Sequence, residues 1–133
     1  MSAEALCEKA NDYASVVTAQ PLGYHYYVLA AEKGNPYAIF RLGSMYRCET
    51  GVKRDYVEAL MNYGRTILTD DKEQAPFAYR MIAGMAALGQ GIAKNAEQAN
   101  YYMRKAMELG DDYLKNYNSM IKRIFVLSIQ LKK

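Results

Sequence analysis

Ala30-Ala31-Glu32-Lys33-Gly34-Asn35, followed by Ala38, Leu42-Gly43, Met45-Tyr46, Gly51-Val52, Asp55 and Ala59, decides the fold, because the chain says it again. Gly91-Ile92, Asn95 and Ala99 return the second half, and Ala106-Met107-Glu108-Leu109-Gly110-Asp111 returns the opening. A period of this size marks a supersecondary unit that cannot bury its apolar face alone, so neighbouring units must stack. The register extends through the chain. Leu6, Leu42 and Ile82 share one position, at separations of 36 and 40. Val16, Val52 and Ile92 share a second, and Gly23, Ala59 and Ala99 occupy a small site where two helix backbones approach closely. The first unit and the last helix are degenerate copies, as end caps of a stack should be.

Turn and cap residues divide the chain into helices. Ser2 is placed to cap a first helix from about Ala3 to Val17, with Leu6, Ala10, Tyr13 and Val17 on one stripe. Pro21 opens a second, Leu22 to Lys33, which Gly34 closes. Asn35-Pro36 starts a third, to Arg47; Asp55 caps a fourth, to Leu68. Thr69-Asp70-Asp71 lengthens the next connection before a fifth helix, Glu73 to Leu88. Asn95 caps a sixth, to Leu109, and Asp111 a seventh, to about Leu131. Strand patterns are missing. The expectation is an all-α chain, one domain of 133 residues, built as a degenerate hairpin over 1–34, repeats over 35–71 and 72–110, and a C-terminal capping helix over 111–133.

Composition excludes several classes. Hydrophobic content of 51% and charged content of 23% suit a globular chain rather than a disordered one. A net charge of +3 is too small to imply nucleic acid by itself. The start of the chain has no signal-peptide pattern, and no stretch approaches the ~18 apolar residues of a membrane span. Cys7 and Cys48 have no CxxC spacing, so free thiols and a cytoplasmic location are expected.

Leu42-Gly43-x-Met45-Tyr46, Gly51-Val52, Asp55-Tyr56, Ala59-Leu60 and Tyr63 resemble the Sel-one-like repeat, a helix-hairpin relative of the tetratricopeptide repeat. Tyr26-Tyr27-x-x-Ala30-Ala31-Glu32-x-Gly34-Asn35 resembles that repeat's junction, and Gly89-x-Gly91-Ile92 and Tyr102-x-Arg104-Lys105-Ala106 resemble it again. In the third unit Ala83 and Ala86 replace the usual Gly and Tyr. The resemblance implies a right-handed α-α superhelix, a short solenoid of about three hairpins whose first helices line a concave face. It also implies an adaptor or scaffold that holds a protein or peptide there. A cysteine-rich branch of the family locks each hairpin with a disulfide, a pairing that Cys7 and Cys48 do not fit.

Catalytic and cofactor chemistry find no support. His25 is the single histidine and sits where the repeat places a solvent-facing polar residue. One His and two scattered Cys give no metal-site spacing, and no Ser or Cys has an evident base and orienter. Gly89-Gln90-Gly91-Ile92-Ala93-Lys94 follows a helix rather than a strand and coincides with the repeat's own turn, unlike a phosphate-binding loop. Asp111-Asp112 reads as a helix cap and Asp70-Asp71 as loop. The expectation is no enzyme, no cofactor and no metal.

What remains is surface. Tyr37, Phe77 and Tyr113 hold one register position near the start of each first helix, with Arg41, Met81 and Tyr117 one turn on. Arg47 and Arg80 would rim such a ridge, a mixture of the types enriched in interface cores. The residues alone leave open whether these rings line the face or pack on the preceding second helix. Met45, Met85, Met103 and Met107 read as core filler. The last helix spreads apolar surface at Phe125 and Ile129 beyond one face, an expected contact between two copies of the chain. Lys115, Lys122, Arg123, Lys132 and Lys133 follow Asp112 with no further acid. The functional expectation is a protein-interaction module; the alternatives are an immunity protein that blocks a cognate toxin, and nucleic-acid binding through the basic last helix.

Overall fold

Four of the six described α-helices begin where a short polar side chain accepts a backbone N–H that would otherwise be unpaired. The second and fifth have no such cap and carry a proline in their first turn. A computed structural model describes residues 1–111. Its helices are α1 (Ala3–Ala14), α2 (Gln20–Glu32), α3 (Pro36–Cys48), α4 (Tyr56–Leu68), α5 (Ala75–Leu88) and α6 (Ala96–Glu108), with one 3-10 turn at Val17–Ala19. Ser2 Oγ accepts from Ala5 N at 3.1 Å, and Asn35 Oδ1 from Ala38 N at 3.0 Å. Asp55 Oδ1 accepts from the N–H groups of Val57 and Glu58, and Asn95 Oδ1 from that of Gln98. Gly34 ends the second hairpin arm in the left-handed conformation at φ 82°. At the end of α3, Glu49 adopts that conformation at φ 55°, where Gly89 does the same work in the next repeat.

Three boundaries differ from the sequence expectation by two residues or more; α2 begins at Gln20 rather than Leu22, with Pro21 inside its first turn. The first helix stops at Ala14, not Val17, and Val17 is 78% exposed rather than part of the buried stripe. Ser15 turns its hydroxyl back onto the Asp12 carbonyl at 2.7 Å, and Val16 follows in extended conformation. The β-branched run Val16-Val17-Thr18 disfavours helix there. The fifth helix starts at Ala75 rather than Glu73, because Asp71 Oδ2 accepts from Gln74 N at 2.8 Å and holds the preceding turn. Asp71 is therefore a structural residue of that connection. The expected seventh helix lies outside the described residues.

Each helix packs on its chain neighbours, most extensively within the hairpins α1–α2, α3–α4 and α5–α6, and also across α2–α3 and α4–α5. Two of the three register positions are in the core: Leu6, Leu42 and Ile82 are buried, as are Gly23, Ala59 and Ala99, whereas Val52 and Ile92 are half-buried and Val16 is exposed. Met45 and Met85 fill it, and Tyr27 and Tyr63 are fully buried. Tyr63 fits because residue 43 has no side chain; a Cβ there would lie 2.8 Å from the ring's Cε1. Gly64, beside Tyr63 on α4, has nothing within 4 Å of the equivalent point.

The same substitution should therefore have opposite effects at these two glycines. Gly43→Ala is expected to destabilise the fold by about 1–3 kcal/mol through overpacking against a ring that cannot leave. Gly64→Ala should stabilise it by up to about 1 kcal/mol through helix propensity. Urea midpoints of the two variants check the pair.

Candidate partner-binding face

Side chains connect the first helix of each hairpin to the first helix of the next, so α1, α3 and α5 form one side of the stack. Tyr37 of α3 donates its hydroxyl to Asn11 Oδ1 of α1 at 3.0 Å. Arg47 of α3 donates from Nε to Gln90 Oε1 at 3.0 Å, just past α5, and from Nη1 to Met81 Sδ at 3.5 Å. Phe40 of α3 lies 6.2 Å from Phe77 of α5, centroid to centroid, and 5.5 Å from Tyr63.

Two groupings emerge where the register suggests a single ridge. Tyr37 and Arg41 gather around Tyr27: the Tyr37 ring meets it edge-on at 6.3 Å, and the Arg41 guanidinium lies over it at 5.8 Å. Phe77, Arg80, Met81 and Arg47 form the second grouping. Phe77 is 38% exposed, with the Arg80 guanidinium 5.5 Å from its centroid. Arg80 pairs with Asp111 at 3.5 Å. Tyr37, Arg41, Arg47, Arg80 and Met81 are half-buried. The Tyr37 ring thus packs on Tyr27 of α2 while staying half-buried, and the Phe77 ring meets Phe40 of α3 and is partly exposed. Tyr113, Tyr117, Phe125 and Ile129 lie outside the described residues.

Three contributors are missed by sequence reasoning: Asn11, Phe40 and the buried tyrosines. Asn11 and Arg47 stand 36 residues apart, at one register position near the end of a first helix. Each touches the phenol of its own hairpin's second helix and also reaches to the next first helix. Asn11 accepts from the hydroxyls of both Tyr27 and Tyr37. Arg47 interacts with the Tyr63 hydroxyl, which also shares a 3.0 Å hydrogen bond with Ser44. The signal was the register itself, applied to polar rather than apolar residues.

Burial pushes the Tyr27 phenol up to about 12, the nearby Arg41 charge acting in the opposite direction. Burial also raises Tyr63, against a Ser44 hydrogen bond and the Arg47 charge. Both phenols are therefore neutral at ordinary pH. The opposite side of the stack has a different character. A crevice of about 420 Å³ runs between α2 and α4 over α3, lined by Tyr24, Val28, Leu42 and Tyr46, with Glu32, Glu58 and Arg65 at its walls. A smaller hollow of about 200 Å³ occupies the corresponding place between α4 and α6. Among the described residues no group of three or more His, Cys, Asp or Glu is placed to hold a metal. Cys7 and Cys48 are free thiols, the first buried and the second exposed.

A family model for the Sel1 repeat matches residues 18–35, 36–66 and 76–111, more than half of the chain. The protein belongs to the Sel1 repeat family. Sel1 repeats are in general protein–protein interaction modules, with a right-handed α-α superhelix as their fold. A Sel1 repeat protein from Oxalobacter formigenes is similar over 85% of this chain and 46% of its own, at 25% identity and a TM-score of 0.73. The second, c5321, is a protective antigen of uropathogenic Escherichia coli strains with an SLR fold. It matches 76% of this chain and 21% of its own, at 24% identity and a TM-score of 0.64. Helicobacter pylori cysteine rich protein B matches 88% and 97%, at 22% identity and a TM-score of 0.59. The last two likenesses speak to the fold alone. This chain spans less than half the length of the first two structures. A comparison with curated proteins gives no match.

The buried Tyr27 phenol makes the hairpin sensitive to alkali. Its pKa in the fold lies above the unfolded value of about 10, so its contribution is fully present below pH ~10 and is lost as pH rises towards ~12. The loss amounts to about 2–3 kcal/mol, since a tenfold change in a proton's binding constant corresponds to about 1.4 kcal/mol. Urea unfolding between pH 9 and 12 should show a shallower decline in Tyr27→Phe than in the parent.

Proposed function

We propose that this chain acts as a non-catalytic interaction module that holds a protein or peptide against the side built by α3 and α5, the concave side expected of a Sel1 stack. The observation that carries the reading is the half-open aromatic and basic surface of Tyr37, Arg41, Arg47, Phe77, Arg80 and Met81, whose side chains are held by neighbours within the fold. A surface already ordered before a partner arrives spends less conformational entropy on binding. Aromatic and arginine side chains are also the types that dominate interface energetics. Tyr113 and Tyr117 would continue the same column by register. An immunity role, with a toxin as the partner, is one case of this reading and uses the same face. No helix among the described residues is long and apolar enough to cross a membrane.

Affinity capture from native lysate, made in parallel with the parent chain and with Tyr37→Ala/Phe77→Ala, tests the assignment. The expected result is loss of a specific partner from the double variant, with affinity reduced at least about tenfold for a partner purified from the parent capture. Identical partners retained by both forms, with the variant still helical, would remove the face from consideration.

A further inference from the structure

Charge is distributed unevenly among the helices. Neither α3 nor α5 contains an aspartate or a glutamate, and their charged residues are Arg41, Arg47 and Arg80. Every second helix carries acid: α2 has Glu32, α4 has Glu58 with Arg65, and α6 has Glu97 and Glu108 with Arg104 and Lys105. Ion pairs among the described residues engage Arg80 with Asp111 and Lys105 with Glu108; Arg41 and Arg47 take part in neither. Arg47 is held by neutral groups, the Gln90 carbonyl oxygen and the Met81 sulfur. Arg41 is half-buried, its guanidinium set against the Tyr27 ring and phenol, with no carboxylate paired to it among the described residues. Glu4, Glu8 and Asp12 belong to α1, so the uncompensated stretch is confined to α3 and α5.

On the reading of this face as a partner site, we infer that its partner is an acidic peptide segment, whose carboxylates meet Arg41 and Arg47 while an apolar side chain covers Phe77. Guanidinium–carboxylate pairs supply directional, charge-assisted hydrogen bonds, and complementary charge raises the rate and selectivity of encounter. Single-stranded nucleic acid fits less well. It needs open ring faces on which bases stack. Here the Tyr27 ring lies beneath Arg41, the Phe77 ring beneath Arg80, and the Tyr37 hydroxyl is tied to Asn11.

The test is fluorescence anisotropy of the full chain with three labelled probes: a peptide of alternating Glu and Leu, its Lys and Leu counterpart, and an oligouridine. The expected result is selective binding of the Glu–Leu peptide, weakening as salt rises and falling about tenfold or more in Arg41→Gln/Arg47→Gln. Because Arg47 also ties α3 to α5, Arg41→Glu alone provides the second arm: it should shift preference towards the Lys–Leu peptide, a gain that misfolding cannot produce. Equal binding of both peptides, preference for oligouridine, or indifference to Arg41→Glu would overturn the inference. A partner still captured through Tyr37 and Phe77 but insensitive to Arg41→Glu would leave the interaction module standing and remove only its acidic ligand.

Discussion

A phenol ring pressed against bare backbone closes the central hairpin, and much else follows from it. Tyr63 is fully buried against Gly43, and Tyr27 is fully buried at the equivalent place one repeat earlier. Burying such a ring removes a large apolar surface from water but strands a hydroxyl that must find a partner. The partners come from the first helices: Asn11 for Tyr27, Ser44 and Arg47 for Tyr63. Those same side chains, once anchored, are what reach the adjacent first helix. Satisfaction of a buried oxygen and the spacing of successive repeats are thus one requirement, met by one residue at each junction.

This coupling explains the shape of the candidate face. Arg47 projects across from α3 to Met81 and Gln90. Tyr37 is drawn back towards α1 by Asn11, and Phe40 moves into the space between α3 and α5. The outcome is two neighbouring groupings with arginines between rings. On the reverse side, charges of both signs, Glu32, Glu58 and Arg65, border the hollow between α2 and α4. The central first helices and the crevice behind them therefore differ in the charged groups they offer a visitor.

Much of the architecture was legible before any coordinates. Cap residues such as Asn35, Asp55 and Asn95 act locally, so a reader of the chain can place them from spacing alone. Leu6, Leu42 and Ile82 are all buried, as shared register requires. The end of α1 was not legible, because apolar spacing continued to Val17 while Ser15 and the β-branched run ended the helix. Register suggested a single column, whereas the structure sets Tyr37 with Arg41 around Tyr27 and Phe77 with Arg80. Register fixes where a Cβ points; it says nothing of how far Tyr37 or Arg47 extends or which neighbour it finds. Asn11 was overlooked because repeat patterns are usually traced through apolar positions.

The connection between the second and third hairpins carries a further consequence. Helices α2, α4 and α6 each have 13 residues and begin at 20, 56 and 96; of the four added residues of the longer period, three fall in the connection between Thr69 and Gln74 and one in α5, which has 14 residues against the 13 of α3. The Sel1 match breaks across the same stretch, resuming at residue 76. Inter-helix side-chain reach, rather than the tally of residues along the chain, is the ruler of this stack. Evolution can lengthen that link, or hang an insertion upon it, without altering the pitch at which one hairpin follows another.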